Sequence, residues 1–206
     1  MIRVLVADHE PIISYGIRIL FESSNDIKIV NSVNTKKQLI DYLKKGSIDV
    51  VLLSLDFADS NGMTMIRIIK KEFVTVRVLI FSSHDEDVYA APSVRAGASG
   101  FLLKTSPTNA IKRAILKVFK GGIYLSSAMA RKLTLEKNQE KIDLFSKLST
   151  REFEVLSLIC SGKKNNEIAN ELNINPKTVS TYKSRLMRKL QVKNIIALID
   201  LGRQRK

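Results

Sequence analysis

The sequence predicts an α/β protein: a doubly wound, five-stranded parallel sheet followed by a small all-α helix-turn-helix domain. Three observations carry this. Over the first 120 residues, short apolar runs rich in β-branched residues alternate with helical patterns, as in parallel strands covered on both faces. From residue 148 onward the pattern is helical throughout. Charge is unevenly divided: residues 147–206 hold 13 Lys/Arg against 5 Asp/Glu, more than half of the net +14 of this 206-residue chain.

The strands are "IRVLVA" (2–7), "IKIV" (27–30), "DVVLLS" (49–54), "VRVLIF" (76–81) and "GFLL" (100–103). Helical patterns fill 11–22, 35–45, 62–72, 86–96 and 107–119. Thr35 is placed to cap the second helix, and Ser106-Pro107 reads as an N-cap with proline at the first helical position. Pro92 interrupts the fourth helix, where its missing amide predicts a late start or a kink. Gly121-Gly122 closes the block, giving a first domain over 1–122. A short helix in "SSAMARKLTLEK" and a polar linker at 138–147 fill 123–147. The last domain, 148–206, opens on "STREFEVLSLIC", which carries a cap and capping-box spacing. "NNEIANEL" follows, then a helix capped by Asn175 with Pro176 at its first position. "NIIALIDLG" is more apolar than a lone surface helix requires, which a homodimer contact would explain.

Composition narrows the function. No apolar run reaches the roughly 20 residues of a membrane span, so no membrane partner is expected. The N-terminus has no signal-peptide pattern, and the single cysteine, Cys160, suits a buried thiol in a reducing cytosol; a cytoplasmic protein is expected. Two histidines and one cysteine are too few for a typical zinc site, and neither cofactor nor metal nor catalytic set is expected. The positive charge points to a polyanion.

The helix from Pro176 to Leu190 alternates two faces. Val179, Leu186 and Leu190 hold it to the core, while Lys177, Ser180, Thr181, Lys183, Ser184, Arg185, Arg188 and Lys189 are left outward. With Thr178 and Tyr182, these are the candidate contacts to double-stranded DNA. Lysines and arginines neutralise phosphates; short hydroxyl side chains let a helix approach base edges. The stretch from "LSTREFEVL" through "NEIANEL" to "KTVSTYKSRLMRKL" resembles the LuxR-type DNA-binding domain of the NarL/FixJ subfamily across 148–200. The resemblance implies a dimer on paired half-sites.

Residues 1–120 resemble a response-regulator receiver domain through "VLVADHEPIISYGIRILFE", "DVVLLSLDFADSNGMTMIRIIKK", "VLIFSSHDED" and "AGASGFLLKT". In that family an aspartate at the end of the third strand accepts a phosphoryl group beside a magnesium ion held by carboxylates. The resemblance places Ser82 and Lys104 where phosphoryl oxygens are bound, and Phe101 at the switch aromatic. Here Asp8 matches the first acidic position, but His9 stands at the second and Glu10 where histidine is frequent. Ser54 replaces the acceptor, and Ala58 the proline four residues on. A serine hydroxyl is a poor nucleophile without a base, and an imidazole suits softer ions than magnesium. Lys104 is left to pair with Asp8 or to hydrogen-bond Ser54.

The expectation is a DNA-binding transcriptional regulator whose degenerate pocket of Asp8, His9, Ser54, Ser82, Phe101 and Lys104 works without aspartyl phosphate. Its receiver would dimerise, or sense a protein or small molecule. Two alternatives stay open: phosphorylation at a non-standard residue such as Asp56, or an adaptor that binds protein and not DNA. A doubly wound phosphotransferase or hydrolase is a distant third reading: "SLD" lacks the first aspartate of the haloacid dehalogenase Asp-x-Asp, and no complete catalytic set is present.

Overall fold

The structure is a computed structural model that describes residues 1–57, 60–135 and 144–203. A five-stranded parallel sheet has the order β2-β1-β3-β6-β7, built from Ile2–Ala7 (β1), Ile27–Val33 (β2), Val50–Leu53 (β3), Arg77–Ser82 (β6) and Gly100–Leu103 (β7). A two-residue hairpin, Asp56–Phe57 (β4) and Ser60–Asn61 (β5), stands apart from it. Helices Pro11–Leu20 (α1), Lys36–Lys44 (α2), Gly62–Glu72 (α3), Glu86–Arg95 (α4) and Thr108–Phe119 (α5) alternate with the strands. Apolar residues of α1 and α5 pack on one sheet face. Those of α2, α3 and α4 pack on the other. Strands buried on both faces account for the unbroken apolar runs in the sequence.

Thr35 caps α2 through Gln38 N as its position predicts. Ser106 does not cap α5. Its amide closes a turn onto Leu103 O, and Pro107, in extended conformation, becomes the capping residue, so the helix starts at Thr108. Pro92 neither delays nor ends α4, which runs from an Asp85 cap to Arg95. One missing amide forfeits one intrahelical bond. Six consecutive buried residues, Val88 to Ser93, offset that loss, because the sheet covers one side of α4 and C-terminal elements the other.

Those elements are Ser127–Leu135 (α6) and a 3-10 turn, Leu144–Lys147. The helices Thr150–Cys160 (α7), Asn165–Leu172 (α8), Pro176–Lys189 (α9) and Ile195–Arg203 (α10) form the last domain. Of the sequence-predicted linker, 138–143 lie outside the described residues. Residues 144–147 are not a loose tether, since Phe145 is buried in the shared core. Ser149 and Glu152 form the capping box, and Asn175 caps α9 through Lys177 N. Val179, Leu186 and Leu190 are buried as their spacing predicts, and so is Cys160. The core beneath α4 runs on into these helices through Phe153 and Val155. No helix of the described residues is long and apolar enough to cross a membrane.

Candidate functional site

The carboxyl ends of the strands converge on one pocket, where ligands gather in doubly wound sheets. Asp8 follows β1, Ser54 follows β3, Ser82 ends β6 and Lys104 follows β7. Asp8 is 3% exposed. Its Oδ2 lies 2.8 Å from Lys104 Nζ, and its Oδ1 accepts the Glu10 amide at 2.9 Å. Lys104 also pairs with Glu10. Burial alone would lower the lysine's pKa, but hydrogen bonds to Asp8 and then Glu10 outweigh it and raise it. The same lysine contact is the main cause of the lowered Glu10 pKa. Of the two sequence-predicted partners for Lys104, the geometry selects Asp8 and adds Glu10.

Ser54 is 1% exposed. Its amide is held by Ala7 O at 2.9 Å, while its hydroxyl has no partner among the described residues. The chain then folds back tightly: a Cβ on Gly62 would lie 2.6 Å from both Ser54 O and Leu55 Cα, so only glycine fits there. Ser82 is fully buried and its hydroxyl accepts the His84 amide. Phe101 is also fully buried, turned into the core.

Donor atoms of Asp8, His9 and Glu10 all lie within 4.8 Å of one another. This set does not fit the magnesium ion that the resemblance implies. Magnesium demands oxygen ligands in octahedral array; here one of three donors is an imidazole, and both carboxylates already share Lys104. A cleft of about 440 Å³ opens beside the pocket, lined by His9, Ser14, Tyr15, Arg18 and the end of β2.

The sequence placed His9 in the pocket and assigned no role to His84, and gave no sign of what the two join. His9 Nδ1 lies 2.7 Å from the Asp56 carbonyl oxygen and His84 Nε2 2.8 Å from Asp56 Oδ1. The contacts between domains were also missed. Arg67 of α3 donates to Glu154 of α7 at 2.8 Å; Glu154 is fully buried and is also bound by Arg151. Asn61 donates from Nδ2 to Ser157 at 2.8 Å and from its amide to Glu171 at 2.9 Å. One signal was available: an acid inside the apolar run "FEVLSLIC" demands a cationic partner.

In the last domain α8 and α9 are joined by a turn through Asn173, in left-handed conformation, and α9 packs on α7, α8 and α10. Lys177, Thr178, Ser180, Thr181, Ser184, Arg185 and Arg188 are exposed along one side. Lys183 and Tyr182 are half-buried, with Arg185 stacked on the Tyr182 ring. The hydroxyls of Ser180, Thr181 and Ser184 donate back to carbonyls one turn earlier, and Ser180 also accepts from Asn165 Nδ2 at 3.1 Å. Lys189 departs from the sequence expectation: it turns inward to Glu152 at 2.7 Å and Lys147 O at 3.1 Å.

Residues 4–116 match the family described as response regulator receiver domain, and residues 146–201 match bacterial regulatory proteins of the luxR family. The Fimbriae Z protein of Escherichia coli K12 is 32% identical over 97% of this chain and 95% of its own length. The response regulator UvrY of the same organism is 30% identical over 98% and 94%. RcsB of Salmonella enterica serovar Typhimurium, bound to promoter rprA in the presence of phosphomimetic BeF3-, superposes with a TM-score of 0.81 at 26% identity, over 97% of this chain and 96% of that one.

Proposed function

The chain belongs to the response regulators that join a receiver domain to a LuxR-type DNA-binding domain, and on that premise we propose that it regulates transcription by binding double-stranded DNA without using aspartyl phosphate. The observation that carries the reading is that the pocket's lysine is already engaged by two acids. Lys104 is neutralised by Asp8 and Glu10, and the residue at the end of β3 is a buried neutral serine. The pocket's lysine, the group that would bind phosphoryl oxygens, is thus already committed.

The recognition helix supports the DNA reading over the adaptor. Lys177, Arg185, Arg188 and the hydroxyl-bearing Thr178, Ser180, Thr181 and Ser184 are exposed in this state, and the two domains together superpose on a DNA-bound relative. The receiver then serves as a dimerisation and sensing module, with the cleft beside His9 as the place for a small molecule or a partner's side chain.

The test compares the purified protein with Ser54→Asp and with His9→Asp/Ser54→Asp, each with and without acetyl phosphate and magnesium. Intact mass and affinity for a duplex selected from a random pool are read. The unmodified protein binds DNA as purified, with no mass gain and no change on adding phosphodonor. Ser54→Asp alone stays poorly phosphorylated, because His9 still replaces the second metal-side acid; the double variant gains phosphate more readily. A phosphate on the unmodified protein together with a rise in DNA affinity would overturn the reading in favour of a non-standard acceptor.

A further inference from the structure

We propose that His84 is the positioning residue that couples the pocket to the DNA-binding domain, through a closed ring of contacts across the domain boundary. Its amide donates to Ser82 Oγ at 3.1 Å, and its Nε2 lies 2.8 Å from Asp56 Oδ1. Its ring stacks on Tyr89 of α4 with centroids 4.6 Å apart. Tyr89 meets Phe153 of α7 edge-on, with ring centroids 5.1 Å apart. That is one limb of the ring.

The hairpin supplies the other. It begins at Asp56 and ends at Asn61, whose Nδ2 donates to Ser157 of α7, one turn on from Phe153. The Asn61 amide reaches Glu171 of α8, the helix on which α9 packs. Both limbs leave Asp56 and meet on α7, at Phe153 and Ser157 one turn apart, so neither domain can shift at one contact without disturbing the other limb. The ring also has an input. His9 lines the cleft and lies 2.7 Å from the Asp56 carbonyl oxygen, so whatever fills the cleft acts on the residue from which both limbs start. The Ser82–Phe101 switch that the receiver resemblance implies is not needed for this route. The proposal deepens the sensing role given to the receiver, but its test reads no phosphate and no DNA, so the two fail separately.

Contiguity alone does not establish coupling; energetic non-additivity does. The experiment is hydrogen exchange on the full chain for Asp56→Ala, His84→Phe, their double variant, and Ser157→Ala. Phe keeps a ring against Tyr89 but cannot reach Asp56. Asp56 is a surface side chain, so its variant reports even where His84→Phe folds poorly. Coupling is reciprocal. Amides of α7 and α8 are expected to exchange about tenfold faster in Asp56→Ala and His84→Phe, with no further gain in the double variant. Ser157→Ala is expected to speed exchange at 54–57 and 61–62. Changes confined to the mutated residue's own domain, or additive in the double variant, would overturn the proposal.

Discussion

Lys104 Nζ lies 2.8 Å from Asp8 Oδ2, with both side chains more than nine-tenths buried. A buried pair of this kind is a commitment. Removing either partner leaves a charge without compensation, and that asymmetry outweighs the pair's net contribution to stability. The pocket is therefore organised around an internal lysine–carboxylate pair and has no excess charge of its own to offer an incoming anion.

Lys104→Met should lower stability by about 3 kcal/mol, since the buried Asp8 loses its lysine and keeps, among the described residues, the Glu10 amide and His9 Nδ1 at 3.7 Å. A urea midpoint at neutral pH measures this. Glu10 adds a pH signature. Its carboxyl is held below the usual value of 4.5 by the Lys104 hydrogen bond. A depressed acid contributes stability above its unfolded pKa and loses it as pH falls through the folded value. The gap between wild type and Lys104→Met should therefore narrow in acid, below the ordinary value of 4.5. A constant gap across that range would show that packing, not charge, is lost.

Ser54→Asp places a second carboxylate within a pocket whose cation is already shared by two acids. The variant should lose about 2 kcal/mol through desolvation and like-charge repulsion. Magnesium should then raise the Tm of Ser54→Asp more than that of the unmodified protein, because the variant adds a third carboxylate to a pocket whose single lysine already faces two. Thermal melts with magnesium and with a chelator decide it. An equal response in both proteins would show that Ser54 is not what limits ion binding.

The sheet was legible because its strands are buried on both faces, and "DVVLLS" or "VRVLIF" cannot be read as anything half-exposed. Caps at Thr35, Ser149 and Asn175 were legible because capping is local, decided within four residues. What stayed hidden is non-local. Arg67 and Glu154 are 87 positions apart, and Asp56 and His84 28 apart. No periodicity relates such pairs. Tertiary cover also overrode a local rule at Pro92, where the sequence alone allows a late helix start that the Asp85 cap does not show. The recognition helix is the intermediate case: its exposed face followed from spacing, but the inward turn of Lys189 depends on a glutamate that only the fold brings near.

Lys189→Ala should therefore act on stability. Burial would raise the Glu152 carboxyl, but the hydrogen bonds from Lys189 and Ser149 outweigh it and hold it below the usual range. The lysine should contribute about 1–2 kcal/mol above the ordinary value of 4.5, fading as pH falls through the lowered one. Denaturant unfolding of wild type and variant at two pH values reads the difference.

Arg188→Ala is the contrasting case, and the pair tests the assignment of the DNA face. Arg188 is exposed on the last turn of α9, and its loss should leave the unfolding midpoint unchanged. Each phosphate neutralised releases about one counterion, so the slope of log affinity against log salt should fall by about one unit for all duplexes alike. Lys189→Ala, already committed to Glu152, should leave that slope near wild type. Ser180→Ala should keep the slope and change which duplexes are preferred, because a hydroxyl that swings out to a base edge carries sequence information and no charge. A salt series on the full chain with two or three selected duplexes separates the three behaviours. Equal slope losses in Arg188→Ala and Lys189→Ala would show that Lys189 leaves Glu152 when DNA binds, and that the face seen here is not the one that meets the phosphates.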